Sequence, residues 1–160
     1  MPNGITDPQF QPLLPIGKHY KTIGELRQLC VDKFPLSKTR DTIMRGLEQV
    51  INTLRSNQIV GELWVNGSFL TDKINPNDSD VVLFLQSSFV DTVTLEQMET
   101  IAWVNSNLQK SHCCDSYVSI EYPESHASYW LGEYWRAYWM RQWGFSEDNS
   151  TLKGIAVISV

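Results

Sequence analysis

Trp64-Val-Asn-Gly-Ser-Phe-Leu-Thr-Asp-Lys-Ile-Asn-Pro-Asn-Asp-Ser-Asp-Val-Val-Leu83 is the stretch whose reading decides the fold. Residues 61–66 (GELWVN) read as a short strand that Gly67 and Ser68 break. Residues 69–77 make a turn, or one helical turn, that Pro76 stops. Asp78 then opens a second strand through Leu85, whose unbroken apolar end says that both faces are buried. Asp78 and Asp80 stand two apart on that strand, so their side chains leave one face. Two carboxylates that close repel one another unless a cation sits between them. Hard oxygen ligands in that number suit Mg²⁺, which keeps its waters and completes its shell with substrate phosphates. Gly67 lets the backbone approach a ligand, and Ser68 adds a hydroxyl beside the amides of a strand-to-helix turn, where an anion is favoured. Nine residues separate Ser68 from Asp78, enough to bring the Gly-Ser loop back beside the acidic pair. A phosphate cradle next to a metal clamp is the chemistry this spacing suggests.

Outward from this centre, helices and strands alternate. Residues 1–20 are rich in Pro and Gly and read as an extended arm, with Phe10, Leu13, Leu14 and Ile16 needing cover. Thr22 with Glu25 is a capping box that opens a helix to about Phe34, which Pro35 ends. Ser37 or Thr39 caps a longer helix to about Ser56, with Ile43, Leu47, Val50, Ile51 and Leu54 on its apolar face. Arg40, Arg45, Glu48 and Arg55 fall on its polar side. Thr94 with Gln97 is a second capping box and leads a helix to Leu108. Residues 114–122 alternate as a half-buried strand, and a helix from about His126 to Trp143 is aromatic enough to be well buried. Gly154–Val160 is the last strand. The expectation is therefore one mixed α/β domain over residues 21–160, a sheet of four to five strands flanked by helices, with the arm at 1–20.

Composition agrees. The chain has 160 residues, 42% hydrophobic and 19% charged, with formal net charge −5. That suits one folded domain and argues against a module built to neutralise phosphate backbones, so nucleic acid is not the expected partner. There is no run of 18 apolar residues to span a membrane and no leader pattern. Three cysteines, two of them adjacent, fit no disulfide framework, so the chain reads as cytoplasmic and reduced.

Gly-Ser, a nine-residue gap and Asp-x-Asp before an apolar strand resemble the signature of the nucleotidyltransferase superfamily, which has the DNA polymerase β-like fold. The flanks, Leu14-Pro-Ile-Gly17, Trp64-Val-Asn-Gly-Ser-Phe, Lys73-Ile-Asn-Pro-Asn-Asp78, Trp143-Gly-Phe and Lys153-Gly-Ile, are similar to a small bacterial branch of it. Ser79 departs from the pattern, since an apolar residue usually separates the two acids. The resemblance implies a minimal nucleotidyltransferase fold, with Asp78 and Asp80 as metal ligands and Gly67 and Ser68 at the triphosphate. It also implies a third carboxylate on a neighbouring strand that helps activate the attacking hydroxyl: Asp115, with Glu121 as the fallback. The implied reaction is Mg²⁺-dependent transfer of a nucleoside monophosphate, AMP from ATP, to a hydroxyl, with two metal ions during turnover. By fold-level analogy the acceptor is a partner protein in a toxin–antitoxin or phage-defence pair. The alternative is a non-catalytic member that binds a nucleotide or a partner, as an antitoxin does.

Blander readings stand beside these. Asn-Pro-Asn-Asp is good turn chemistry, so Asp78 and Asp80 also suit a solvated strand start. Asp115 also suits a structural acid at a strand edge. Lys153, before the last strand, could neutralise a phosphate, though a single lysine is more often a solvated charge. The rings between 126 and 143, interleaved with Arg136 and Arg141, are expected to pack the helix onto the sheet. Their number exceeds one buried stripe, which keeps an exposed face for a small protein partner as the second reading. His112-Cys113-Cys114 lacks a second ligand pair for zinc, and the three glycosylation sequons, at Asn66, Asn77 and Asn149, are chance matches.

Overall fold

In a computed structural model that describes residues 10–145 and 151–160, the apolar runs pair into a five-stranded mixed sheet. Residues 1–9 of the arm and Asn149 of one sequon lie outside the described residues. Along the chain run β1 (Gly17–Tyr20), α1 (Ile23–Arg27), α2 (Arg40–Ser56), β2 (Glu62–Asn66), β3 (Ser79–Gln86), α3 (Ser87–Val90), α4 (Leu95–Asn105), α5 (Gln109–His112), β4 (Cys114–Glu121), α6 (Tyr129–Gly144) and β5 (Gly154–Ser159). The strand order is β1-β5-β2-β3-β4. β2 runs antiparallel to both β3 and β5, whereas β3 with β4 and β1 with β5 are parallel. β2 therefore ends where the other four strands begin, and that rim of the sheet gathers the Gly-Ser turn, the acidic residues and Lys153.

Strand alternation sorts the side chains into two layers. Leu63, Val65, Val81, Leu83, Leu85, Ala156 and Ile158 face the main core, against Leu26 of α1, the apolar stripe of α2 and Val104 of α4. Trp64, Val82, Phe84, Ile155 and Val157 face the other way, onto Trp143 and Trp139 of α6. Val81 to Leu85 are all buried, as their unbroken apolar run requires. Both capping boxes form: Thr22 with Glu25 and Thr94 with Gln97 exchange side-chain bonds at the starts of α1 and α4. At α2 the cap is Ser37, whose Oγ accepts from the amides of Thr39 and Arg40.

Three expectations need correction. The arm does not stay outside the sheet: its last residues, 17–20, join it as β1, because β5 offers them a parallel edge. Leu14 is covered, but Ile16 stays exposed. The aromatic helix is not well buried. Only Gly132 and Trp143 of α6 are buried, while Trp130 is 68% and Tyr134 56% exposed. A single helix touching the sheet along one stripe cannot cover rings that occur on all its sides.

Arg40 is the third correction. It lies on no polar side but is fully buried. Its guanidinium donates five hydrogen bonds to four main-chain carbonyls: Nε and Nη2 to Lys73 O at 3.1 and 2.6 Å, Nη1 to Cys30 O at 2.9 Å and Phe69 O at 2.7 Å, and Nη2 to Thr71 O. Its plane stacks on Phe34, 3.7 Å from the ring centroid. Burial lowers its pKa from the ordinary arginine value, a cost offset by carbonyl dipoles aimed at the charge. From the opposite side the arm closes on the same loop, with Leu13 N donating to Leu70 O and Asp72 N to Gln11 O, both at 2.9 Å. The loop joining the Gly-Ser turn to the acidic pair is thus clamped between α2 and the arm.

Replacing Arg40 with Met leaves those carbonyls without a donor, so stability falls by at least about 3 kcal/mol. Arg40→Lys loses nearly as much, since an ammonium cannot serve the fork. Urea unfolding measures both; a loss below about 1 kcal/mol in Arg40→Met would show that the loop is held by other contacts.

Candidate active site

Strand register brings the acidic residues to one place. Asn66 of β2 pairs with Asp80 of β3, and Asp80 pairs with Asp115 of β4, so three polar residues form a row across the sheet on the face that carries α6. Neighbouring strands lie about 4.8 Å apart, which puts the Asp80 and Asp115 backbones as close as two residues on separate strands can be. Asp78 lies one residue before β3, so it is presented from the turn and not from the strand. Ser79 between them points into the main core, where its hydroxyl reaches Cys113 O and Cys114 Sγ at 3.4 and 3.5 Å. The departure from an apolar residue is thereby satisfied internally.

Gly67 sits against this row. Its φ is +84°, a conformation that suits glycine, and a Cβ built there would collide with Asp80 Oδ2. Its amide donates to Asn66 Oδ1 at 2.6 Å. The Gly67 N–H is therefore taken up internally and is not part of the expected cradle of amides. Asn66 itself, not singled out by the sequence reasoning, is the buried joint of the rim: its Nδ2 donates to Trp143 O at 3.0 Å and to Gly154 O at 3.1 Å. That bond pair holds the end of α6 and the start of β5 beside the Gly-Ser turn. Lys153 immediately precedes β5 at the same rim, its amide bonded to Gly144 O at 2.8 Å.

The carboxylates are not left bare. The loop between α4 and α5 and the first residue of α5 each supply an amide to one of them. Gln109 Nε2 donates to Asp78 Oδ2, and Asn107 Nδ2 donates to Asp115 Oδ1 at 2.6 Å. Asn107 adopts a left-handed conformation, which asparagine tolerates better than most residues, and its Oδ1 accepts from Gln109 N at 2.9 Å. Tyr117 OH donates to Asp115 Oδ2 at 3.2 Å. Burial, and then the Asp115 charge, push the Tyr117 phenol up, so it remains a donor at neutral pH. Burial likewise pushes the Cys114 thiol up to about 11, with the nearby charges of Asp78 and Asp80 adding to it. Nothing in the sequence marks Asn107 and Gln109, since a lone side-chain amide beside or at the start of a short helix carries no signal of its own.

Glu121 is removed as the third carboxylate. It pairs in register with Gln86 at the far end of β3, accepts from Gln86 Nε2 at 2.6 Å, and forms an ion pair with Arg136 of α6. Six residues of strand, about 20 Å, separate it from the level of Asp115. Among the described residues no three His, Cys, Asp or Glu side chains converge on one point that could hold a metal ion. The donor set still fits a divalent cation in kind: all oxygen, two carboxylates from β3 and its turn, one from the next strand, and a glycine packed against the middle one. Ligation by Asp78 and Asp115 would exchange the three exposed hydrogen bonds they accept from Gln109, Asn107 and Tyr117, at about 1 kcal/mol each.

Beside Asp115, β4 and α6 border an open cleft of about 480 Å³ lined mainly by rings, Tyr117 among them. No described helix is long and apolar enough to cross a membrane. Comparison with known proteins finds no match among curated proteins and none among solved structures. The sequence model of a family of unknown function, DUF6932, matches residues 8–159, every strand of the sheet included, and the chain belongs to that family.

Proposed function

We propose that this chain is a metal-dependent nucleotidyltransferase that moves a nucleoside monophosphate, AMP for preference, from its triphosphate to a hydroxyl acceptor. The row Asn66–Asp80–Asp115, with Gly67 packed against Asp80, is the observation that carries the reading. Asp78, Asp80 and Asp115 would hold the Mg²⁺ ions, which supply neutralisation of charge on the triphosphate and on the entering and leaving oxygens. Ser68 and Lys153 lie on the rim where the phosphates would be oriented. Asp115, on the strand beyond Asp80, takes the proton of the acceptor hydroxyl. The acceptor oxygen forms its bond to the α-phosphorus as the bond from that phosphorus to the pyrophosphate oxygen breaks. The remainder of the rate comes from positioning and fixed charge. The exposed outer rings of α6, Trp130 and Tyr134, are the surface for a partner protein that carries the hydroxyl, as in a toxin–antitoxin or phage-defence pair.

A second reading has an observation in its favour. The amides of Gln109 and Asn107 hydrogen-bond Asp78 and Asp115. A family member that had given up chemistry and kept nucleotide or partner binding would be organised in this way.

Manganese separates the two, because its binding is read directly by electron spin resonance. Wild-type protein is expected to bind Mn²⁺, and Asp80→Asn to weaken it about 10–100-fold. With Mg²⁺ and α-labelled ATP, label enters an acceptor in a cell extract, and Asp78→Ala combined with Asp80→Ala lowers this by at least about 100-fold. Transfer untouched by the double substitution overturns the site; absence of both Mn²⁺ binding and transfer favours the second reading.

Gly67→Ala tests the packing against Asp80. The positive φ costs about 1 kcal/mol or more, and the new methyl group must push the Asp80 carboxylate aside. Thermal unfolding should report a loss of about 1–3 kcal/mol, with Mn²⁺ affinity reduced about tenfold. Unchanged metal affinity would mean that Asp80 does not ligate from this position.

A further inference from the structure

The cleft between β4 and α6 runs along the strand from Tyr117 to Tyr122, roofed by Leu131, Trp135, Tyr138 and Trp139. Its volume of about 480 Å³ lies in the range of small-molecule sites. Tyr117 belongs to both places: its ring lines the cleft, 5.0 Å from the Trp139 ring, and its hydroxyl bonds Asp115. Ser119 is the residue that turns this from an apolar gap into a site. It lines the cleft, strand alternation points it to the α6 face beside Tyr117, it is 5% exposed, and its Oγ has no hydrogen-bond partner. Only one other buried side-chain oxygen among the described residues, Thr39 Oγ1, is left so. Buried hydroxyls are nearly always bonded, and an exception calls for a missing partner.

We infer that this cleft binds a purine base, stacked on the α6 rings and hydrogen-bonded through a ring nitrogen or exocyclic group to Ser119 Oγ. The identity of the ring rests on the transferase reading; the cleft and the orphan hydroxyl do not. Flat rings suit the walls, since every base offers a π-face to Trp and Tyr. A hydroxyl that both donates and accepts meets any polar edge of the base. The separation also suits a nucleotide. Ser119 lies four strand residues beyond Asp115, about 13 Å, comparable with the span of a nucleoside from its phosphate to the far edge of a purine. A two-ring base fills such a cleft better than a one-ring base and gains more stacking area.

Adenosine without phosphate or metal is the probe, read by quenching of Trp135 and Trp139 fluorescence in the intact protein. Saturable quenching is expected, with cytidine at least about tenfold weaker, and Trp135→Ala weakening adenosine about tenfold. Ser119→Val should weaken adenosine at least about fivefold while leaving the melting temperature equal or higher, because the substitution removes an unpaired buried hydroxyl. Asp78→Ala with Asp80→Ala should bind adenosine as wild type does, and this result holds whether or not the chain transfers nucleotides. The inference is overturned by the absence of saturable quenching, by affinity unchanged in both Ser119→Val and Trp135→Ala, or by cytidine binding as tightly as adenosine. Transfer that proceeds normally in those two variants would overturn the cleft and leave the transferase reading standing.

Discussion

A single guanidinium holds the architecture of the candidate site. Arg40 reaches out of α2 into the main core and ties down the carbonyls of Phe69, Thr71 and Lys73, three points on the loop between the Gly-Ser turn and the acidic pair. Without that anchor the nine residues between Ser68 and Asp78 would be a surface loop with many accessible conformations. Fixing them would cost about 1–2 kcal/mol of entropy per residue. The arginine removes that freedom with short bonds in a buried setting, where each is stronger than in water. Asn75 extends the clamp, its Oδ1 accepting from Lys38 N at 2.7 Å just before α2. Gly67, Asp78 and Asp80 owe their mutual placement to this loop as much as to the strands they border.

The second constraint is the reversal of β2 against its neighbours. Because β2 alone runs opposite to the others, its end and their beginnings share one rim. Chemistry distributed over residues 66–68, 78–80, 115 and 153 is thereby collected without long loops. Asn66 completes the rim by bonding two carbonyls from the far end of the chain, so the close of α6 and the start of β5 cannot drift from the Gly-Ser turn. The same device ties the aromatic helix to the acidic row, and Tyr117 makes the connection on the β4 side. Cleft and carboxylates are two parts of one surface.

Much of this was legible in the chain. Asp-x-Asp before an apolar run announces both a buried strand and two acids at its head. Capping boxes at Thr22 and Thr94 mark helix starts by local bonds alone. Less legible was anything that depends on which elements meet. Arg40 follows a polar helix start, and helical periodicity places it among solvated charges; only the arrival of the 69–73 loop over α2 turns it inward. The rings of α6 look like core in composition, yet one sheet face accommodates Trp139 and Trp143 and leaves Trp130 and Tyr134 outside. Glu121 shares a face with Asp115, and only the register with β3 shows that it stands at the wrong end.

The sequence by itself determined the α/β class, the strands to within a residue at each end (61–66 and 78–85), the Gly-Ser turn and the pair Asp78 and Asp80. All of these follow from interactions within a dozen residues: periodicity, capping, turn chemistry and like-charge proximity. Tertiary structure alone decided that Asp115 and not Glu121 stands beside Asp80, that Asn107 and Gln109 hold two of the acids, and that Ser119 lies unpaired under aromatic rings. Strand register and helix docking set those, and both are sums over contacts far apart in the chain. No local pattern encodes such sums, because a one-residue shift in pairing would reassign every partner while leaving each segment's own preferences unchanged.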